Sequence, residues 1–325
     1  MKKTTIIAIQ LVCILLLLGS SPQLMDIKAA KADTEASAVF RSTGGIWWFE
    51  NASWPNEGSV SYSASLYIYN LFDSPPYDQK YFANAATVTR SNMLNHIEDY
   101  NEEDYATFFI FANGSNGTLY DVIKYWGVPI QSIPVTHYYL YDSDDEEPII
   151  PMSDVDVGSI TYGGSNIEFV FLWSCSLGSE IGREHSSYYI DYPSTWMVGT
   201  GAAGMPYAWT YRDYTQMSSN GYESPDTGSF AFIGFEGFGV PVSQVIPDTG
   251  GKNYGDFLKK FYYNALDDGD SINDALDDAS DYVWGVEFDE TPLYEGYTYY
   301  LPEPFNEDWD GWLRVYGNGN NTLPN

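Results

Sequence analysis

The sequence has few of the residues that build the commonest metal and catalytic centres. It holds 2 Cys and 3 His in 325 residues, which excludes a disulfide-stapled scaffold and a zinc site of the paired Cys/His type. It has no phosphate-binding loop and no Gly-x-Ser-x-Gly turn. Gly199-Thr200-Gly201-Ala202-Ala203-Gly204 approaches a dinucleotide fingerprint, but Pro206 interrupts the helix that should follow. Positive charge is scarce too, with 14 Lys+Arg against 45 Asp+Glu and a net charge of −31. A field of that sign repels nucleic acid and anionic membrane surfaces, which excludes both as partners; it favours solubility, cations and basic ligands. Long apolar runs are missing except at residues 6–18, and that run is shorter than the roughly 20 residues of a membrane-spanning helix.

Lys2 and Lys3, the apolar run and the small-residue site Ala30-Lys31-Ala32 together have the order of an export signal. The expectation is a signal peptide over 1–32 and a mature chain over 33–325, secreted or held at the cell surface, with no membrane attachment after cleavage. An uncleaved anchor is the alternative. Cys13 leaves with the signal, so Cys175 becomes the single thiol, unable to form an internal disulfide. It is either an inert buried side chain or a reactive group.

Aromatic residues are abundant, with 29 Tyr and 10 Trp. Tyr buries area while keeping a polar tip, which suits half-exposed strands and carbohydrate-like ligands. The pattern predicts strands over 38–49, 80–88, 105–112, 169–174, 196–200, 230–235 and 312–316. Helices are expected over 57–72, after Thr89 or Ser91, and over 254–266 and 271–284, where Ser271 caps with Asp274 three residues on. The runs at 105–112 and 169–174 are continuously apolar, as parallel strands buried on both faces are. Alternation of strand and helix from 38 to 175 predicts an α/β fold with a mainly parallel central sheet in one domain. An acidic, Tyr-rich insertion is expected at 119–165.

Chemistry has few places to reside. Cys175 ends an apolar strand and opens into Ser176-Leu177-Gly178, and such strand tips present nucleophiles in α/β enzymes. Asn113-Gly114-Ser115-Asn116-Gly117-Thr118 reads as a tight polar turn after the earlier apolar strand. Asn51, Asn113, Asn116 and Asn320 head glycosylation sequons. The runs 142–147 and Asp267-Asp268 are candidate calcium contacts, without EF-hand spacing. Solvated loop charge is the readier account of them.

The order of these pieces resembles the caspase-fold cysteine peptidases, and within them the gingipain-like branch. The resemblance rests on the strand ending at Asn113-Gly114 and the strand ending in Ser174-Cys175-x-x-Gly178. It rests also on Phe232-Ile233-Gly234-Phe235, the helix pair from Asp256 to Leu276, and the closing Trp312-Leu313-x-Val315-Tyr316-Gly317. It implies a three-layer caspase-like sandwich over 33–325 with Cys175 at the nucleophile position. It also implies a His-Gly pair at the tip of the earlier strand, where this chain has Asn113-Gly114. An amide cannot take and return a proton near neutral pH. His185, ten residues after Cys175, and His137 are the substitute bases. The resemblance therefore implies a peptidase acting on polypeptides with an altered dyad, or one that has lost the chemistry. The alternative is a non-catalytic extracellular binding protein for a glycan or a cationic partner.

Overall fold

The computed structural model describes residues 35–42, 56–73, 76–125, 128–141, 151–162, 164–178, 183–185, 190–192, 195–197, 201–211, 228–300 and 308–324. The chain divides into two units, Met1–Asp33 and Thr34–Asn325. The first, which contains the expected signal peptide, lies outside the described residues, as does the acidic run at 142–147.

Fourteen strands are described. In chain order they are β1 (Glu35–Arg41), β2 (Tyr77–Asn84), β3 (Tyr105–Phe111), β4 (Gly114–Tyr125), β5 (Val128–Leu140), β6 (Met152–Ser153), β7 (Ile167–Trp173), β8 (Arg183–His185), β9 (Ile190–Tyr192), β10 (Thr195–Met197), β11 (Gly201–Ala203), β12 (Ala231–Gly237), β13 (Tyr297–Tyr300) and β14 (Asp308–Gly317). The helices are α1 (Glu57–Leu71), α2 (Arg90–Tyr100), α3 (Asp154–Thr161), α4 (Met205–Thr210), α5 (Tyr254–Tyr263), α6 (Ile272–Trp284) and α7 (Pro292–Glu295).

Seven strands form one sheet in the order β13-β14-β12-β7-β3-β1-β2. The five from β12 to β2 are parallel, and β14 and β13 complete the sheet antiparallel. Helices cover both faces, giving a three-layer α/β sandwich. The alternation along β7 shows why: Phe169, Phe171 and Trp173 enter one core with α1, α5 and α6. Val170 and Leu172 enter the other with α2, α3 and α4. Burial on both faces explains the unbroken apolar runs of β3 and β7.

The helices form where the pattern places them. Buried residues recur at three and four residue steps along α5 (Tyr254, Phe257, Leu258, Phe261) and α6 (Ile272, Ala275, Leu276, Ala279, Val283). Thr89 caps α2 by accepting the Asn92 N–H, and Ser271 caps α6 by accepting the Asp274 N–H.

One local reading is corrected. The expected turn at 113–118 is instead the opening of a long strand, β4, which pairs antiparallel with β5; Gly114 and Gly117 suggest a turn locally, but the partner strand decides. Among the described residues of the expected insertion at 119–165 are the rest of this hairpin, the short β6 and α3. Of the expected strand at 196–200, residues 196–197 belong to β10, paired with β9 outside the central sheet, and 198–200 lie outside the described residues.

Candidate functional site

Parallel strands place their carboxyl ends side by side, and loops beyond those ends form the binding crevice of an open α/β sheet. Here β3 and β7 are neighbours, with Phe111 opposite Trp173. Their tips bring Asn113-Gly114 against Ser174-Cys175. The contact is close enough that a Cβ on Gly114 would run into the Cys175 carbonyl oxygen and Ser174 Oγ, so only glycine fits. Gly114 donates its N–H to Asn113 Oδ1 at 3.0 Å, and the Tyr141 N–H donates to Asn113 O at 3.0 Å.

The Cys175 loop is held from the opposite side by β12 and the residues after it. Ser176 takes a left-handed φ of 62°, uncommon for a non-glycine, and its N–H donates to Gly237 O at 2.5 Å. The Gly178 N–H donates to Phe235 O at 2.8 Å, and Tyr316 Oη donates to Gly178 O. Cys175 Sγ accepts the Gly239 N–H at 3.3 Å. Residue 175 as a whole is partly exposed, but its sulfur is desolvated. Burial pushes the thiol up to about 11, against the pull of the Gly239 N–H. Burial holds the Tyr297 phenol up, with Cys175 adding to it, and its Oη donates to Phe238 O.

A second layer fixes the 239–243 segment. Glu57, at the start of α1, accepts the N–H groups of Val242 (2.9 Å) and Ser243 (2.7 Å). Burial holds its carboxyl above the usual range while these bonds and Arg41 pull it down. Arg41, at the tip of β1, donates to Ser61 Oγ (2.8 Å), Asn84 Oδ1 (2.7 Å) and Gly58 O (2.9 Å). Glu57 lies far from Val242 in sequence, and no local signal links the two.

The histidines fall elsewhere. His137 is fully buried on β5 and shares its Nδ1 with Asp154 Oδ1 at 2.9 Å. Asp154 also accepts the N–H groups of Tyr138 (3.2 Å), Val155 (2.8 Å) and Gly204 (2.8 Å). Burial holds this carboxyl up, opposed first by His137. His137 pairs with Gly117, three residue steps from Gly114, or about 10 Å along the strand. The structure therefore places it in the root of the hairpin and not at the tip beside Cys175. His96 stacks on Tyr81 along α2, with ring centroids 3.7 Å apart. His185 is in β8 opposite Gly201 of β11; its side chain lies outside the described residues.

Among the described residues, no group of three or more His, Cys, Asp or Glu is arranged to hold a metal ion. Asp267 and Asp268 occupy a π turn between α5 and α6. No helix among the described residues is long and apolar enough to cross a membrane.

No protein-family model matches the chain, and no curated protein does. Among solved structures, protein GSU0716 from Geobacter sulfurreducens, a structural genomics target, is similar at a TM-score of 0.32 and 10% identity over 74% of this chain and 87% of that one. A likeness that low carries no argument about fold or function.

Proposed function

We propose that this chain is an exported relative of the caspase-like cysteine peptidases that keeps the nucleophile position and lacks effective peptidase chemistry. Its role would then be to bind polypeptide or another extracellular ligand at the same strand-tip cleft. The observation that carries the reading is the juxtaposition of Gly114 and Cys175 at neighbouring tips, with an amide side chain at Asn113. That is where the resemblance asks for a nucleophile and a His-Gly pair.

The chemistry supports inactivity quantitatively. With the thiol at about 11, about one molecule in ten thousand carries a thiolate at neutral pH, roughly 300-fold fewer than for an ordinary cysteine near 8.5. A positioned acid or base contributes about 10²–10⁴-fold to rate, and Asn113 supplies none. The Gly114 N–H is already engaged by Asn113 Oδ1, which removes it from oxyanion stabilisation in this conformation.

The test is Cys175 alkylation followed against pH, together with digestion of a peptide library. The expected results are a rate that climbs toward pH 11 without a plateau near neutrality, and no cleavage. Asn113→His should lower the apparent thiol pKa and speed alkylation at neutral pH. Cleavage by the native chain that Cys175→Ala abolishes would overturn the reading, and dependence on His185 would identify a relocated base.

A further inference from the structure

The dipeptide Asn-Gly occurs twice at the start of β4, as Asn113-Gly114 and Asn116-Gly117, in opposite phases of the strand ladder. Bonds in an antiparallel ladder fall on every second residue. The Tyr141 N–H donates to Asn113 O, and the register pairs Ser115 with Tyr139 and Gly117 with His137. The bonded positions on β4 are therefore 113, 115 and 117. The Gly117 amide points into the ladder, toward β5. The Gly114 amide points away from it and lies 3.0 Å from Asn113 Oδ1. Its nitrogen therefore has no ladder bond to β5 to break and touches only the side-chain amide of its own neighbour by that hydrogen bond, whereas the Gly117 nitrogen is fixed in the ladder.

We propose that Asn113 is a site of spontaneous deamidation and that Asn116 is protected. The Gly114 nitrogen loses its proton and bonds to Asn113 Cγ, and the side-chain NH2 leaves as ammonia with that proton. Water then opens the five-membered succinimide to aspartate or isoaspartate. Water is the only co-reactant, and no oxidant or reductant is needed. The aspartate product sets a carboxylate at the tip of β3, beside the Cys175 loop. The isoaspartate product adds a main-chain methylene next to Gly114, where not even a Cβ fits. Either outcome alters the cleft, and the inference holds whether or not the peptidase-like reading does.

The folded full-length protein is incubated at mildly alkaline pH, and both dipeptides are followed by peptide mapping and mass spectrometry, with a urea-unfolded sample alongside. Asn113 is expected to convert at least about tenfold faster than Asn116 in the folded protein, since small changes in reacting geometry carry effects of that size. In urea the two rates should converge. Asn113→Gln should remove the fast product and leave the slow conversion at Asn116 unchanged. Conversion at Asn113 no faster than at Asn116, or no conversion at either, overturns the proposal.

Discussion

The tip of β3 concentrates several constraints on Gly114. Its Cα faces the Cys175 carbonyl and Ser174 Oγ, its N–H is taken by Asn113, and its strand begins there. Adding one methyl forces the β7 tip to move or the β3–β4 junction to distort. Overpacking of this kind costs about 1–3 kcal/mol. Gly114→Ala should lower unfolding stability by that amount in urea titration, and the loss should come with altered Cys175 alkylation because the thiol loop is what must shift. A stability loss with an unchanged alkylation profile would place the strain elsewhere. Cys175 itself illustrates how a backbone contact and desolvation compete: the Gly239 N–H favours thiolate, burial disfavours it, and burial wins.

At the scale of elements, the β4–β5 hairpin depends on one carboxylate. Asp154 begins α3 and binds His137 and the Tyr138 N–H of β5, its neighbour Val155, and the Gly204 N–H just before α4. Three separate chain segments meet on two oxygens, with both side chains fully buried. Removing this acceptor leaves the His137 Nδ1 and three buried N–H groups without it, and an unsatisfied buried donor costs about 1–3 kcal/mol. Asp154→Ala is expected to destabilise by that order and to speed amide exchange at Tyr138 and Gly204 before the central strands are affected. Asp154→Asn keeps the size and one accepting oxygen but sets an NH2 against N–H donors, so it should lose less than alanine and still destabilise. The Ser153–Asp156 capping box and the Arg90–Asp156 pair at 2.5 Å hold the same helix start from outside. That pair is partly exposed and contributes less.

For the whole molecule, charge sets the response to pH. The net charge of −31 makes the folded surface repel itself at neutral pH. Burial also holds Glu57 and Asp154 above their ordinary values of 4.5 and 3.8. A carboxyl raised on folding binds its proton more readily in the folded state. Its contribution is therefore most favourable below the ordinary value and declines as pH rises through the raised one. Both effects have the same sign. Unfolding stability is expected to increase as pH is lowered from 7 toward the ordinary carboxylate value of 4.5, the reverse of a protein relying on depressed carboxylates. Salt should reduce the part that comes from surface repulsion, and Glu57→Gln should reduce the part that survives in salt. Stability that instead falls steadily over that range would contradict the assignment.

Much of the architecture was legible in the chain by itself. The continuous apolar runs of β3 and β7 gave buried parallel strands, the spacing in α5 and α6 gave amphipathic helices, and Thr89 and Ser271 marked their starts. These are short-range properties of residue shape and polarity, so a local reading captures them. Cys175 and Asn113 were also visible as strand-tip residues. What local pattern could not decide was how the segments pair. The Asn113–Thr118 stretch resembles a turn until β5 arrives from over a dozen residues away to make it a strand. His137 carries no sign in sequence that Asp154 will hold it in the hairpin root. Nor does Glu57 show that it binds Val242 and Ser243, or Cys175 that Gly239 will donate to its sulfur. Sequence fixes which groups exist and how each segment prefers to fold. Only tertiary packing sets the desolvation and the partners of each buried group, and those two quantities determine whether a thiol is a nucleophile.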